Sequence, residues 1–183
     1  IITSGGKEAA YLVFHAVLDP GDEVIIPAPY WVSYPEMVRL AGGVPVPIAG
    51  PEANDYKLTA DLLRSVLTPR TRMFILNSPS NPSGVTYQPD EVRALARILQ
   101  DRDLLVLSDE IYDRLLFDGQ KTLSYAAGGE AAGGVVVIYE YFSLPAPAID
   151  LFVVVLHLVP EFLPELRAVT LETGVNDVSA RGF

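Results

Sequence analysis

In LLVLSDEIYD, residues 104–113, an apolar run long enough for one buried strand ends in two carboxylates, Asp109 and Glu110, with Tyr112 close behind. Acidic groups at a strand end can hold a metal or stand in water. A metal centre has little to draw on, because the chain has no Cys and only two His, and such centres need clustered ligands. An isolated Asp-Glu pair is ordinarily solvated. That reading must be weighed against what three further stretches supply: SGGKEA (4–9), PYWVSY (29–34) and NSPSNPSG (77–84). Gly5 and Gly6 before a helix allow close backbone approach, so the amides of Gly6, Lys7 and Glu8 can turn donors and a positive dipole end toward a phosphate. Trp31 offers a flat face for a ring. Two prolines and a glycine stiffen the third stretch enough to hold one amide side chain in place. Taken singly, a Gly-rich helix entry, a core Trp and a plain turn would account for each.

The elements that must position these residues alternate along the chain. GGKEAAYLVFHAVL has a helical pattern, DEVIIPAP is a short strand, and WVSYPEMVRLAGG is helix-like before the apolar VPVPI. LTADLLRSVL opens on Thr59, a helix cap, and RMFILN is a strand. QPDEVRALARILQ is an amphipathic helix with Pro89 near its start, and LLVLSD is another strand. Strands that are unpatterned apolar runs, alternating with helices, predict an α/β fold with a mainly parallel sheet covered on both faces. Ligands of such sheets sit at the carboxyl ends of strands, where NSPSNPSG and SDEIYD both fall. Past residue 125 the pattern degrades. AAGGEAAGG reads as a flexible connection, VVVIYEY as a strand and LFVVVLHLV as buried strand or core, while the rest gives at best one short helix. We therefore expect two segments, 1–125 and 126–183.

Composition narrows the function. Half of the 183 residues are hydrophobic, which suits one buried core. A formal net charge of -10, with no cluster of Lys and Arg, argues against nucleic acid. The apolar stretches fall short of the ~20 residues of a membrane helix, and IITSGGKEAA has neither the basic start nor the apolar core of a signal peptide. A cytoplasmic protein is expected.

In order and approximate spacing, SGGKEA, PYWVSY, NSPSNPSG and SDEIYD resemble the class I and II aminotransferases, pyridoxal-phosphate enzymes of fold type I. PGDEVIIPAPYWVSYPEMVRLAGG is most similar to the aspartate aminotransferase branch. The resemblance implies an aminotransferase large-domain fold, amino acid and 2-oxo acid substrates, a homodimer in the intact family, and pyridoxal 5'-phosphate as cofactor. It implies that Gly6, Lys7 and Glu8 hold the phosphate and that Trp31 stacks on the ring. Asn81 and Tyr112 would bond the cofactor's phenolic oxygen, and Asp109 would face the pyridine nitrogen, where a buried carboxylate favours the protonated ring. The carboxylates at the strand end would thus serve an organic cation. Glu110 receives no such role and reads as solvated or structural.

The same resemblance exposes a loss. The family's chemistry needs a lysine that bonds the cofactor and moves the proton at the substrate's alpha carbon. It belongs some thirty-odd residues after the aspartate, in a pattern like SxSK or FSK. Leu144 stands there, none of Lys7, Lys57 and Lys121 matches, and the following GxRxG segment is absent. The chain reads as a piece of an aminotransferase whose C-terminal third departs from the family through a changed reading frame or a spliced or mis-assembled gene. An inactive member, a same-fold carbon-sulfur lyase or cyclase, and a non-enzymatic remnant that binds cofactor or a partner are the readings left open.

Overall fold

The uninterrupted apolar strands predict two covered faces, and alternation along each strand divides the core accordingly. The computed structural model describes residues 2–100, 102–126 and 134–138, together with the strand Phe152–Val153. In chain order the elements are β1 (Ile2–Thr3), α1 (Gly6–Val17), β2 (Glu23–Ala28), α2 (Ser33–Leu40) and β3 (Val44–Ala49), followed by α3 (Ala60–Val66), β4 (Thr71–Asn77), α4 (Pro89–Leu99), β5 (Leu105–Asp109), β6 (Gly134–Ile138) and β7 (Phe152–Val153). Five strands form an all-parallel sheet in the order β3-β2-β4-β5-β6. On one face Val24, Ile26, Met73, Ile75 and Leu107 pack against Ala10 and Phe14 of α1 and Met37 of α2. On the other, Ile25, Phe74, Leu76 and Val106 pack against Leu63 of α3 and Leu95 of α4. Successive residues of one strand thus serve opposite cores, as the period of two requires.

Local chemistry sets the helix starts. Thr59 caps α3 by accepting from the Leu62 amide at 3.2 Å, as its type and place predict. Pro89 opens α4, where the Gln88 and Glu91 side chains satisfy donors reciprocally in a capping box. At α1 the entry needs glycine: Gly5 has φ 141° and ψ 167°, a conformation that a side chain would strain.

Beyond residue 125 only part of the expectation is visible. The strand read in VVVIYEY is present as β6, paired in parallel with β5, so the sheet extends past that boundary. From LFVVVLHLV, Phe152 and Val153 pair antiparallel with Thr3 and Ile2. The connection AAGGEAAGG, apart from Ala126 and Gly134 at its ends, lies outside the described residues, as do Leu144 and the segments 154–183. No helix among the described residues is long and apolar enough to cross a membrane.

At the start of β2 Glu23 is buried beside Thr68 and Arg70, whose Nε donates to its Oε1 at 3.0 Å. The Thr68 hydroxyl, and after it the Arg70 guanidinium, hold the Glu23 carboxyl below its ordinary value of 4.5, against the opposing effect of burial. A depressed folded-state value stabilises above the unfolded value and is lost as pH falls through the folded one. Urea midpoints measured on the acid side are therefore expected to fall less steeply with pH in Glu23→Gln than in the parent chain.

Candidate functional site

Asn77 ends β4 and Asp109 ends β5 in adjacent register, and Asp109 in turn lies opposite Ile138 at the end of β6. Three parallel strands therefore finish together, and the chain segments that follow them meet at this carboxyl edge. Asp109 is 5% exposed. Its carbonyl accepts from the Asn77 side-chain amide at 3.0 Å and from the Ser78 amide at 3.2 Å. One carboxylate oxygen accepts a hydrogen bond from the Tyr34 phenol of α2, and the Ile111 amide lies 3.4 Å from the other.

Glu110, the second carboxylate of the pair, is also buried, yet it faces elsewhere. Its Oε1 accepts from Ser108 Oγ at 2.7 Å, Ser124 Oγ at 3.0 Å and the Tyr125 amide at 3.1 Å. It is a structural brace, one of the two roles left to it by sequence, and the solvated alternative is excluded by its 6% exposure. No group of three or more His, Cys, Asp or Glu able to hold a metal occurs among the described residues.

The loop NSPSNPSG turns back over β4. Asn77 Oδ1 accepts from the Asn81 amide at 2.7 Å, which pins the loop, and Asn81 Nδ2 lies 3.4 Å from the Tyr112 hydroxyl. Asn81 and Tyr112 are thus within reach of one target. Trp31 meets Tyr34 edge to face with centroids 5.3 Å apart, and Lys7 Nζ stands 5.1 Å from the indole centroid. The start of α1 closes the group. A Cβ on Gly6 would sit 3.5 Å from Ile138 Cγ2 and 3.6 Å from Ile111 Cγ2, so this glycine lies against the β6 end and the turn after β5. Ala9 makes the first helical hydrogen bond, to Gly5, which leaves the amides of Gly6, Lys7 and Glu8 as the first-turn donors of α1. The Glu8 carboxylate itself turns back to the Ser4 amide.

All seven residues singled out by sequence therefore stand at one edge. The sequence patterns did not single out Tyr34 and Asn77. Both lie inside quoted motifs, and both also line an adjacent crevice together with Tyr30, Ser80 and Ser83.

The match to known proteins covers this same region. Residues 1–142 match the family described as aminotransferase class I and II. The chain belongs to this family. It is 51% identical over 126 residues to an aspartate aminotransferase of Geobacillus stearothermophilus, an alignment that covers 69% of this chain and 32% of that one. An aspartate/prephenate aminotransferase of Thermus thermophilus is 48% identical over 120 residues, 66% of this chain and 31% of its own. The solved structure of the Thermus thermophilus aspartate aminotransferase with maleate superposes with a TM-score of 0.76 at 35% identity, over 97% of this chain and 46% of that one. The chain spans about a third of the length of the curated relatives it matches. Membership carries dependence on pyridoxal phosphate as a family property.

Proposed function

We propose that the carboxyl edge of the β4-β5-β6 sheet is a pyridoxal-phosphate site and that the chain holds this cofactor without transaminating at an enzymatic rate. The observation that carries the reading is the buried, hydrogen-bonded carboxylate of Asp109 at a point where three strands end beside the first turn of α1. A carboxylate in such a place suits a protonated pyridine nitrogen, and the first-turn amides suit a phosphate. The residues fit the group: one anion, one donor-rich helix start, one indole, and two hydrogen-bonding side chains that already meet.

When bound, pyridoxal phosphate supplies an electron sink for the carbanion formed at the substrate's alpha carbon. The chain's own residues would hold and orient it. Gly6, Lys7 and Glu8 would donate main-chain N–H groups to the phosphate. Trp31 would cover one face of the ring, Asn81 and Tyr112 would bond its phenolic oxygen, and Asp109 would keep its nitrogen charged. In the intact family amino acid and 2-oxo acid exchange an amino group at such a site. The relatives named for aspartate and prephenate make these the first substrates to try.

The chain has a single Trp, and it is Trp31, so its fluorescence reports on the site directly. Titration with pyridoxal phosphate is expected to quench it saturably. Asp109→Asn keeps the shape and removes the charge, and the midpoint should weaken by about 10-fold or more, as for a hydrogen bond to a charged group. Quenching that rises linearly without saturation, or that is identical in Asp109→Asn, would contradict the reading.

A further inference from the structure

Tyr34 is 1% exposed, and its ring could be replaced in the core by that of Phe with no loss of apolar area. The hydroxyl is what requires explanation, since a buried phenol is costly unless it finds a partner. Its partner is a carboxylate oxygen of Asp109, 75 residues later in sequence. We propose that Tyr34 is a positioning residue for Asp109, fixing one carboxylate oxygen and holding the group as an oriented anion at the strand end.

Four features support this. The Tyr34 amide donates to the Trp31 carbonyl at 3.1 Å, so phenol and indole are set by one turn of chain. The Asp109 carbonyl is held by Asn77 and Ser78, so the residue is fixed at its main chain and at one oxygen. The other oxygen faces the Ile111 amide at 3.4 Å, so the two carboxylate oxygens face different parts of the chain. Finally, burial, and then the charge and hydrogen bond of Asp109, push the Tyr34 phenol well above its ordinary value of 10. It therefore remains a neutral donor over the whole working range.

Tyr34 comes from α2 and Tyr112 from the turn after β5, with a charge interaction between the two tyrosines. The ends of β4 and β6 bring Asn77 and Ile138, which do not titrate. At the start of α1, Lys7 lies over Trp31 and Glu8 is bonded to the Ser4 amide.

The inference rests on the cofactor reading only for its use, and the test separates the two. In the chain without cofactor, the Asp109 side-chain carbon is followed by NMR through a pH titration after labelling aspartate with carbon-13. Tyr34→Phe is expected to move the Asp109 midpoint upward by about one pH unit, because a hydrogen bond to the charged form is lost. Replacing Tyr34 alone with difluorotyrosine, a stronger donor of almost the same shape, is expected to move it downward. This second variant decides the matter should Tyr34→Phe fail to fold by circular dichroism. Midpoints that stay where they are would overturn the inference and leave Tyr34 as a core ring. The Trp31 titration on the same samples should show pyridoxal phosphate binding about 10-fold more weakly in Tyr34→Phe. A moved Asp109 midpoint in a chain that binds no cofactor would uphold the Tyr34–Asp109 device and reject the cofactor reading.

Discussion

Mixed with pyridoxal phosphate, aspartate and a 2-oxo acid, the chain is expected to transfer amino groups at a rate at least ~10²–10⁴-fold below that of an intact relative, the range that a positioned acid–base group contributes. The reason lies at Leu144, where the family's pattern calls for the lysine that moves the proton. The chain's three lysines occupy other places. Lys57 is paired with Glu91 at 2.7 Å beneath α4, Lys7 stands over Trp31, and Lys121 lies in the loop between β5 and β6. Leu144→Lys alone should recover little, because the GxRxG segment is also absent. Coupled measurement of oxaloacetate release checks both chains. Turnover comparable with an intact relative, lost again in Lys7→Met, would show that Lys7 supplies the amine and that the inactive reading is wrong.

Phe74→Ala is expected to reduce the free energy of unfolding by about 3–5 kcal/mol, the usual cost of emptying a buried aromatic site. Phe74 is fully buried in β4, between Ile25 of β2 and Val106 of β5, in the core that α3 and α4 cover. With total stabilities of about 5–15 kcal/mol for folded domains, this one change removes a large share. Phe117→Ala is the control. That ring is 72% exposed, and its loss should lie within about 0.5 kcal/mol of neutral. Urea denaturation followed by circular dichroism measures both, and equal effects would contradict the division of the core described above.

Most of the sheet was legible because its strands read as unbroken apolar runs and the helices announce themselves by period, α3 and α4 by their caps as well. Thr59 and Pro89 fell where local chemistry places them. The parallel order followed from alternation, since parallel neighbours need a crossover between them. The β1-β7 pair was not legible, because two residues carry no period. The site was partly legible for a related reason. Glycines, the rigid loop and the strand-end aspartate are local signals that drew attention to Gly6 and Asp109, while resemblance to the family picked out Asn81 within the loop. Tyr34 looks in sequence like one more buried position of an amphipathic helix, and only the folded chain brings its hydroxyl to a carboxylate so far away. Asn77 likewise reads as the end of a strand until its side chain is seen bracing both Asp109 and Asn81. Glu110 was ambiguous because the donors that bury it, Ser124 and Tyr125, sit in a loop without any pattern of its own.

The central claim is that the strand ends and the first turn of α1 form one cofactor site, and mapping amide shifts by NMR tests it most directly. On adding pyridoxal phosphate to the nitrogen-15-labelled chain, the amides of Gly6, Lys7, Glu8, Asn81, Asp109 and Tyr112 should shift together along a single saturation curve, and inorganic phosphate should reproduce only the Gly6–Glu8 part. Shifts scattered around Lys57 and Lys121, with the strand-end amides unmoved, would mean that the aldehyde reacts only with lysines away from the strand ends and would contradict the account.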